Sequence, residues 1–395
     1  MQTEALNPFS FGDFAEGSAF TDREVELKEL RADMRNGQNV LIYAPRRYGK
    51  SSLVLRAAAL AKRDKVLVGY CDLMKTPTKE KLATALAKTI YADLDGGVGG
   101  ATERTRKLFG GLRVRPVMEL DPEDGSLQFS FRASVRQSDI DDTIEGLLEL
   151  VGKIAKRRKR RVVIIFDEFQ EVIKLDKQLP NLMRAVFQAQ PEVCHAYLGS
   201  KRHLLDKIFN DRNEPFWKSA RRFELGMIGK HKFAKFLKAQ FAATDKDIDP
   251  EAVERLLEVT GGHPYGTQEL AYHVWELVPI GFPTHVADVE KALDRVLMSE
   301  QNHFAKIWED ASHNQRLLLL ALALEPTDGP YRPSYRESHQ LPPKGSIPQT
   351  LDYLQRDEVV GLDEDGRWSI IEPFFAEWVK REQTSYGLPR RQPRR

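Results

Sequence analysis

Hydrophobic positions along this chain fall into short continuous runs, and amphipathic stretches separate them. Val40-Leu41-Ile42-Tyr43, Lys65–Asp72, Arg161–Phe166 and Cys194–Leu198 are such runs, and a fifth, shorter one begins at Arg221. Runs of this length with β-branched residues read as buried strands. Between them, Leu27, Leu30 and Met34, then residues 50–63, Thr78–Leu94, Ser138–Arg158 and Leu179–Gln190 keep helical spacing. Strand alternating with helix predicts an α/β fold built on a parallel sheet. Thr21 with Glu24 resembles a capping box, and Ser138 is a plausible N-cap. Leu112–Leu120 and Leu127–Phe131 alternate about the turn-forming Asp121–Ser126, which predicts a hairpin insertion at about 95–137. Gly96–Gly100 is a flexible break.

From Lys230 the spacing turns helical: Phe233, Phe236, Leu237 and Phe241, then Val253, Leu256 and Leu257. Gly261–Tyr265 interrupts it before a helix at Gln268–Leu277. Near Ala311 a new pattern begins. Three helices (Gln315–Leu324, Arg332–His339 and one capped by Ser346) precede two strands, Val359–Leu362 and Trp368–Ile371, about the turn Asp363–Gly366. Three helices and a two-stranded wing predict a winged helix. The expected domains are a core over 1–228, a helical lid over 229–305, a winged helix over 306–382 and a basic disordered tail over 383–395.

With 395 residues, 41% hydrophobic, the chain can bury more than one core. A net charge of +2 announces neither nucleic acid nor membrane binding. The two cysteines, Cys71 and Cys194, stand inside strand-like runs and read as buried thiols. With no apolar run of about 18 residues and no leader-like start, the expectation is a soluble cytoplasmic protein without membrane contact.

The candidate chemistry lies at two strand ends. After the first, Ala44-Pro45-Arg46-Arg47-Tyr48-Gly49-Lys50-Ser51-Ser52 has the spacing of a phosphate-binding loop opening a helix. In such a loop backbone N–H groups and the helix N-terminus surround a phosphate. Lys50 would reach the β/γ-phosphates and the Ser51 hydroxyl would ligate Mg²⁺. Ala44 stands where the first glycine is usual, and the loop tolerates it if its φ stays negative. The run Val162–Phe166 delivers Asp167 and Glu168 to its C-terminal end, the edge where α/β sheets bind ligands. Asp167 would hold the metal opposite Ser51, and Glu168 would direct the attacking water. The two strands share that edge if they are parallel neighbours. Ser200, at another strand end, would sense the γ-phosphate or orient water, or would simply close its strand. Arg221 and Arg222 fit either a finger toward a neighbouring subunit or a surface ion pair. The basic run Lys156–Arg161 fits a solvated helix end, or a contact with DNA or an acidic protein. His263 has no zinc-like cluster around it.

Four stretches together resemble the archaeal-type ATPases of the STAND group, related to AAA+ proteins: Phe20–Glu24, Pro45–Ser52, Phe166–Gln170 and Gly261–Tyr265. The resemblance implies a P-loop NTPase core with a helical lid and a C-terminal winged helix. It implies ATP rather than GTP, and a lid motif in which His263 and Pro264 lie near the nucleotide; Arg23 joins the nucleotide-binding residues. Ala44, and Asp22 where such proteins often carry glycine, depart from the pattern. The expected activity is Mg²⁺-dependent ATP hydrolysis by a nucleotide-driven switch. Its favoured partner is an unidentified protein, and nucleotide-dependent oligomers are a further expectation. DNA is the alternative partner, as in a DNA-stimulated ATPase. Against it, residues 330–380 hold six basic and nine acidic residues, and phosphate contact needs Lys and Arg. A non-hydrolysing structural protein is disfavoured by the intact Glu168.

Overall fold

The computed structural model describes residues 6–12, 20–95, 106–120, 127–131, 136–363 and 365–383. They fall into two units. One, the sheet unit, comprises Arg23–Arg46 and Lys50–Leu225; the other, the helical unit, comprises the described residues of Met1–Asp22, Arg47–Gly49 and Gly226–Arg395.

In the sheet unit, the strands in chain order are β1 (Val40–Tyr43), β2 (Leu67–Asp72), β3 (Val117–Leu120), β4 (Leu127–Ser130), β5 (Val162–Asp167), β6 (Val193–Gly199) and β7 (Arg221–Glu224). Five form one sheet in the order β2-β5-β6-β1-β7, with every pairing parallel. The α/β class with a parallel sheet, expected from the strand–helix alternation, is the class observed. Sequence left open whether β1 and β5 are parallel neighbours; they run parallel, and β6 lies between them. Hydrogen-bond partners are chosen by the whole sheet, and strand order is not written in local spacing.

The runs are unbroken because both sheet faces are covered. Leu41, Val162, Ile164, Phe166 and Tyr197 join one apolar cluster with the helices Lys79–Thr89, Gln137–Arg158 and Leu179–Gln188. Val40, Ile42, Val163, Ile165, Ala196 and Leu198 alternate with them and are equally buried outside that cluster. Alternation with burial on both sides needs cover on both sides. Cys71 and Cys194 are buried free thiols, and burial pushes Cys71 up to about 12.

The hairpin forms, with Val117 opposite Ser130 and Leu120 opposite Leu127, but its first strand begins at Val117 and not at Leu112. Its turn, the glycine-rich break and the basic tail from residue 384 lie outside the described residues. In the sheet unit, two helix starts differ from expectation. The first helix, Glu24–Asn36, begins after two left-handed residues, Asp22 (φ 59) and Arg23 (φ 69), so Arg23 takes the capping position without a side-chain cap and Thr21 does not. A left-handed Asp22 also accounts physically for the glycine usual there. The long helix starts at Gln137 after Arg136, not at a Ser138 cap.

In the helical unit, Lys230–Ala242, Pro250–Thr260, Pro264–Leu277, Val286–Asp310 and His313–Leu324 are the longer helices, followed by Pro333–Ser338, Ile347–Arg356 and Pro373–Trp378. The pairs β8 (Asp247–Ile248) with β9 (Pro283–Thr284) and β10 (Val360–Leu362) with β11 (Trp368–Ile370) complete it. One apolar cluster runs from Phe233 through Phe304 to Val379 and takes in Phe9 of the N-terminal segment. The helix expected at Gln268 starts four residues earlier. Pro264 suits the first helical turn, and the His263 side chain accepts from Gly266 N.

Candidate functional site

The loop after β1 is shaped by three backbone features. Ala44 N donates to the Gly199 carbonyl at 3.4 Å, which ties the loop's start to the end of β6. Ala44 is not among the residues with positive φ, which is the condition that makes an alanine acceptable there. The left-handed conformations fall on Arg47 (φ 67) and Gly49 (φ 77) instead. The helix Lys50–Arg63 follows, and its first N–H groups lack intrahelical partners, as at any helix N-terminus. Pro45 is half-buried, Arg46 is exposed, and Ser51 and Ser52 are half-buried on the first helical turn.

The sheet order brings the ends of four strands together. Ser51 Oγ donates to Asp167 Oδ2 at 3.0 Å, and Tyr70 Oη, from β2, donates to the same oxygen at 2.5 Å. Lys50 Nζ lies 3.2 Å from Glu168 Oε1 and 3.9 Å from Asp167 Oδ1. Ser200, just past β6, donates from Oγ to Glu168 Oε2 at 3.1 Å, and Gln170 Nε2 donates to the same oxygen. Glu168 holds a left-handed backbone, φ 52, and its amide donates to Asp167 Oδ1 at 2.9 Å. Burial pushes the Glu168 carboxyl up, but the Lys50 charge and the hydrogen bonds from Gln170, Lys50 and Ser200 outweigh it and hold the carboxyl below its ordinary value. Burial first, and then the Asp167 charge and hydrogen bond, push the Tyr70 hydroxyl far up, so it stays a donor. Among the described residues, no group of three or more His, Cys, Asp or Glu side chains is placed to hold a metal. A divalent cation beside Ser51 and Asp167 would therefore need oxygens from a ligand and from water, as Mg²⁺ commonly has.

Lys50, Ser51, Asp167, Glu168 and Ser200, picked from sequence, thus converge. Tyr70 and Gln170 were not singled out. Their signals were modest: a tyrosine two residues before the end of β2, and a polar residue inside the D-E-F-Q stretch. Arg23 is buried and pairs with Glu26 at 3.2 Å. Arg221 pairs with Glu29 and Asp33 at 2.5 and 3.0 Å, so the ion-pair reading holds for it; Arg222 donates to the Phe209 carbonyl at 3.3 Å. Within Lys156–Arg161, Arg157 and Arg158 both bind Asp95, at 2.6 and 3.1 Å, Arg160 donates to the Lys65 carbonyl, and Arg161 to that of Pro191.

The helical unit holds the other part of the loop, Arg47–Gly49, with the Gly261–Tyr265 stretch. The Tyr48 ring meets His263 edge-on at 4.9 Å, and the Arg47 guanidinium sits 4.3 Å over the Tyr265 ring. Arg47 also pairs with Glu372 at 3.4 Å. Burial, and then the Arg47 charge, lower His263 to about 3, which keeps its Nδ1 free to accept from Gly266 N at 3.0 Å. Pro264 opens the next helix. Glu269 is pushed up to about 7 by burial and then by Glu372. Gly262 (φ 81) is obligatory, since a Cβ there would meet the Ile228 carbonyl at 2.2 Å.

No helix among the described residues is long and apolar enough to cross a membrane. No curated protein matches the chain. Its fold is similar to that of the Walker-type ATPase PABY2304 of Pyrococcus abyssi, at 17% identity and a TM-score of 0.65 over 94% of this chain and 99% of that one. It is also similar to the ORC2 protein of Aeropyrum pernix in its ADP form, at 13% identity and a TM-score of 0.50 over 95% of each chain. At these identities the likeness speaks for the fold alone. Residues 20–270 match the family described as an ATPase domain predominantly from Archaea. That stretch holds the loop, the five-stranded parallel sheet and the Asp167–Glu168 strand end, and on this match the chain belongs to that family of archaeal-type ATPase domains.

Proposed function

We propose that this chain binds ATP with Mg²⁺, hydrolyses it to ADP and phosphate, and uses the bound nucleotide as a switch that controls a partner protein. The observation that carries the chemistry is the convergence of Lys50, Ser51, Asp167, Glu168 and Ser200 at one sheet edge. The Ser51 hydroxyl and the Asp167 carboxylate are hard oxygen donors in hydrogen-bond contact, a pair that fits Mg²⁺. Bound there, the ion would neutralise charge developing between the β- and γ-phosphates. Lys50 Nζ would leave Glu168 Oε1 for the phosphates, because a triphosphate offers it more negative charge than one carboxylate. That departure uncovers Oε1, which then orients a water and takes its proton. Ser200 steadies the other carboxylate oxygen.

The switch reading is supported by the division of the loop. Arg47–Gly49 belongs to the same unit as residues 226–383, whereas Lys50 and Ser51 belong to the sheet unit. A triphosphate that orders one segment of the loop biases the other through two covalent joins, and a nucleotide shifts a conformational balance only by such differential contact. We assign residues 229–305 to a lid and 306–382 to a winged helix through which the partner is controlled. The double arginine of the loop and the D-E-F-Q stretch support placement in the STAND group. DNA as the partner is disfavoured by the wing, where Arg367 is already paired with Asp363 and Asp365 at 3.0 and 2.9 Å.

The test is phosphate release from ATP by purified protein, with and without duplex and single-stranded DNA, beside Lys50→Ala and Glu168→Gln. The expected result is slow turnover, abolished by both substitutions, indifferent to DNA, with ADP retained. Several-fold stimulation by DNA would replace the switch with a DNA-acting ATPase. A wild type as inactive as Glu168→Gln, with ATP still bound, would remove the hydrolysis reading.

A further inference from the structure

Gln170 is 1% exposed, on the turn Phe169–Glu171 that follows β5 and Glu168. Only half of its amide is satisfied. Nε2 donates to Glu168 Oε2, while Oε1 has no hydrogen-bond partner among the described residues. The orientation follows from chemistry, since a carboxylate only accepts and the amide nitrogen must face it. Burying a glutamine with an unpartnered carbonyl is unfavourable, and an apolar side chain of the same length would avoid that penalty. The fold also makes room for this amide. A Cβ on Gly199 would come within 2.4 Å of Gln170 Oε1.

What the arrangement gains lies in Glu168. Its backbone is left-handed, φ 52, at the end of a strand, so no regular helix or strand geometry orients its side chain. Once Lys50 has left Oε1 for the phosphates, Ser200 Oγ alone, at 3.1 Å, would leave the carboxylate free to rotate about that one bond. A second donor on the same oxygen defines its plane. We propose that Gln170 is a positioning residue for Glu168, holding Oε2 from the side opposite to the reaction so that Oε1, now beside Lys50, is the oxygen offered to water. This rests on the ATPase reading above. The competing role is space filling beside Gly199 and Leu205.

Gln170→Met keeps length and bulk and removes the donor. Expected are a fall in kcat of at least about tenfold, an unchanged dissociation constant for a fluorescent ATP analogue, and no further loss when the substitution is added to Glu168→Gln and residual turnover is followed with enzyme in excess. Unchanged kcat, or an equal loss in both backgrounds, would show a structural role and overturn the proposal. A second measurement needs no variant at position 170 and no turnover. The side-chain amide signals of Gln170 in selectively ¹⁵N-labelled protein should move in Glu168→Ala, and signals that stay in place overturn the proposal. If wild type proves inactive on ATP, the hydrolysis reading falls, and the amide signals still decide whether Gln170 holds Glu168.

Discussion

Ser51 Oγ and Asp167 Oδ2 lie 3.0 Å apart although 116 residues separate them in the chain, and Tyr70 Oη closes on the same carboxylate oxygen at 2.5 Å. Two donors on one oxygen leave Asp167 little freedom to turn. A partner that orients a metal ligand is commonly worth 10–100-fold in metal affinity or activity. Tyr70→Phe should therefore raise the Mg²⁺ concentration for half-maximal turnover about tenfold, with only a small loss of thermal stability. An unshifted Mg²⁺ titration would mean that Tyr70 does not orient Asp167.

Glu269 gives the helical unit a pH dependence of definite sign. Its folded carboxyl is pushed up from 4.5 to about 7 by burial, then by Glu372 and Glu300, with Arg47 opposing. The folded protein thus binds the proton more tightly than the unfolded chain. Between those values the folded state holds more protons, so stability is full below pH 4.5 and declines as pH rises through 7. Glu269→Gln should remove that decline and raise stability at pH 8 by about 2 kcal/mol. Denaturant melts of both proteins from pH 5 to 8 check it; parallel curves would refute the assignment.

Gly262→Ala should damage the helical unit. The new methyl would meet the Ile228 carbonyl at 2.2 Å and impose a side chain on φ 81. Strain of both kinds costs about 3 kcal/mol or more. Gly261→Ala (φ 61), with nothing within 4 Å of its Cβ, should cost about 1 kcal/mol. Thermal melts of the two variants side by side give the comparison, and equal losses would contradict it.

Arg221 should behave as a surface partner of Glu29 and Asp33. Exposed ion pairs contribute about 1 kcal/mol or less. Arg221→Ala is expected to lower stability by no more than that and to leave turnover per subunit unchanged at every protein concentration. A steep loss of turnover that appears only at high concentration would instead mark it as acting on a neighbouring subunit.

Lys50, Ser51, Asp167 and Glu168 could be found in the sequence because the chemistry there is local. A strand, a tight turn and a helix N-terminus must be contiguous to wrap a phosphate, and an apolar run ending in two carboxylates marks its own edge. Asp22 shows the limit of such reading: it stands where glycine is usual, and only the backbone reveals that both it and Arg23 are left-handed. The order β2-β5-β6-β1-β7 was beyond local pattern, since strands choose partners across more than a hundred residues. That order sets Ser200 beside Glu168, turns Tyr70 onto Asp167, and seats Gln170 over Gly199. It also placed β6 between β1 and β5, whose adjacency the local pattern left open. The loop residues Arg47–Gly49 share a unit with the C-terminal helices for the same reason: covalent neighbours follow the packing of their side chains, and packing partners are set by the fold rather than by sequence distance. The loop spacing and the strand-end carboxylates, legible in the sequence, pointed to the class of chemistry; which side chains surround those groups was decided by the tertiary structure.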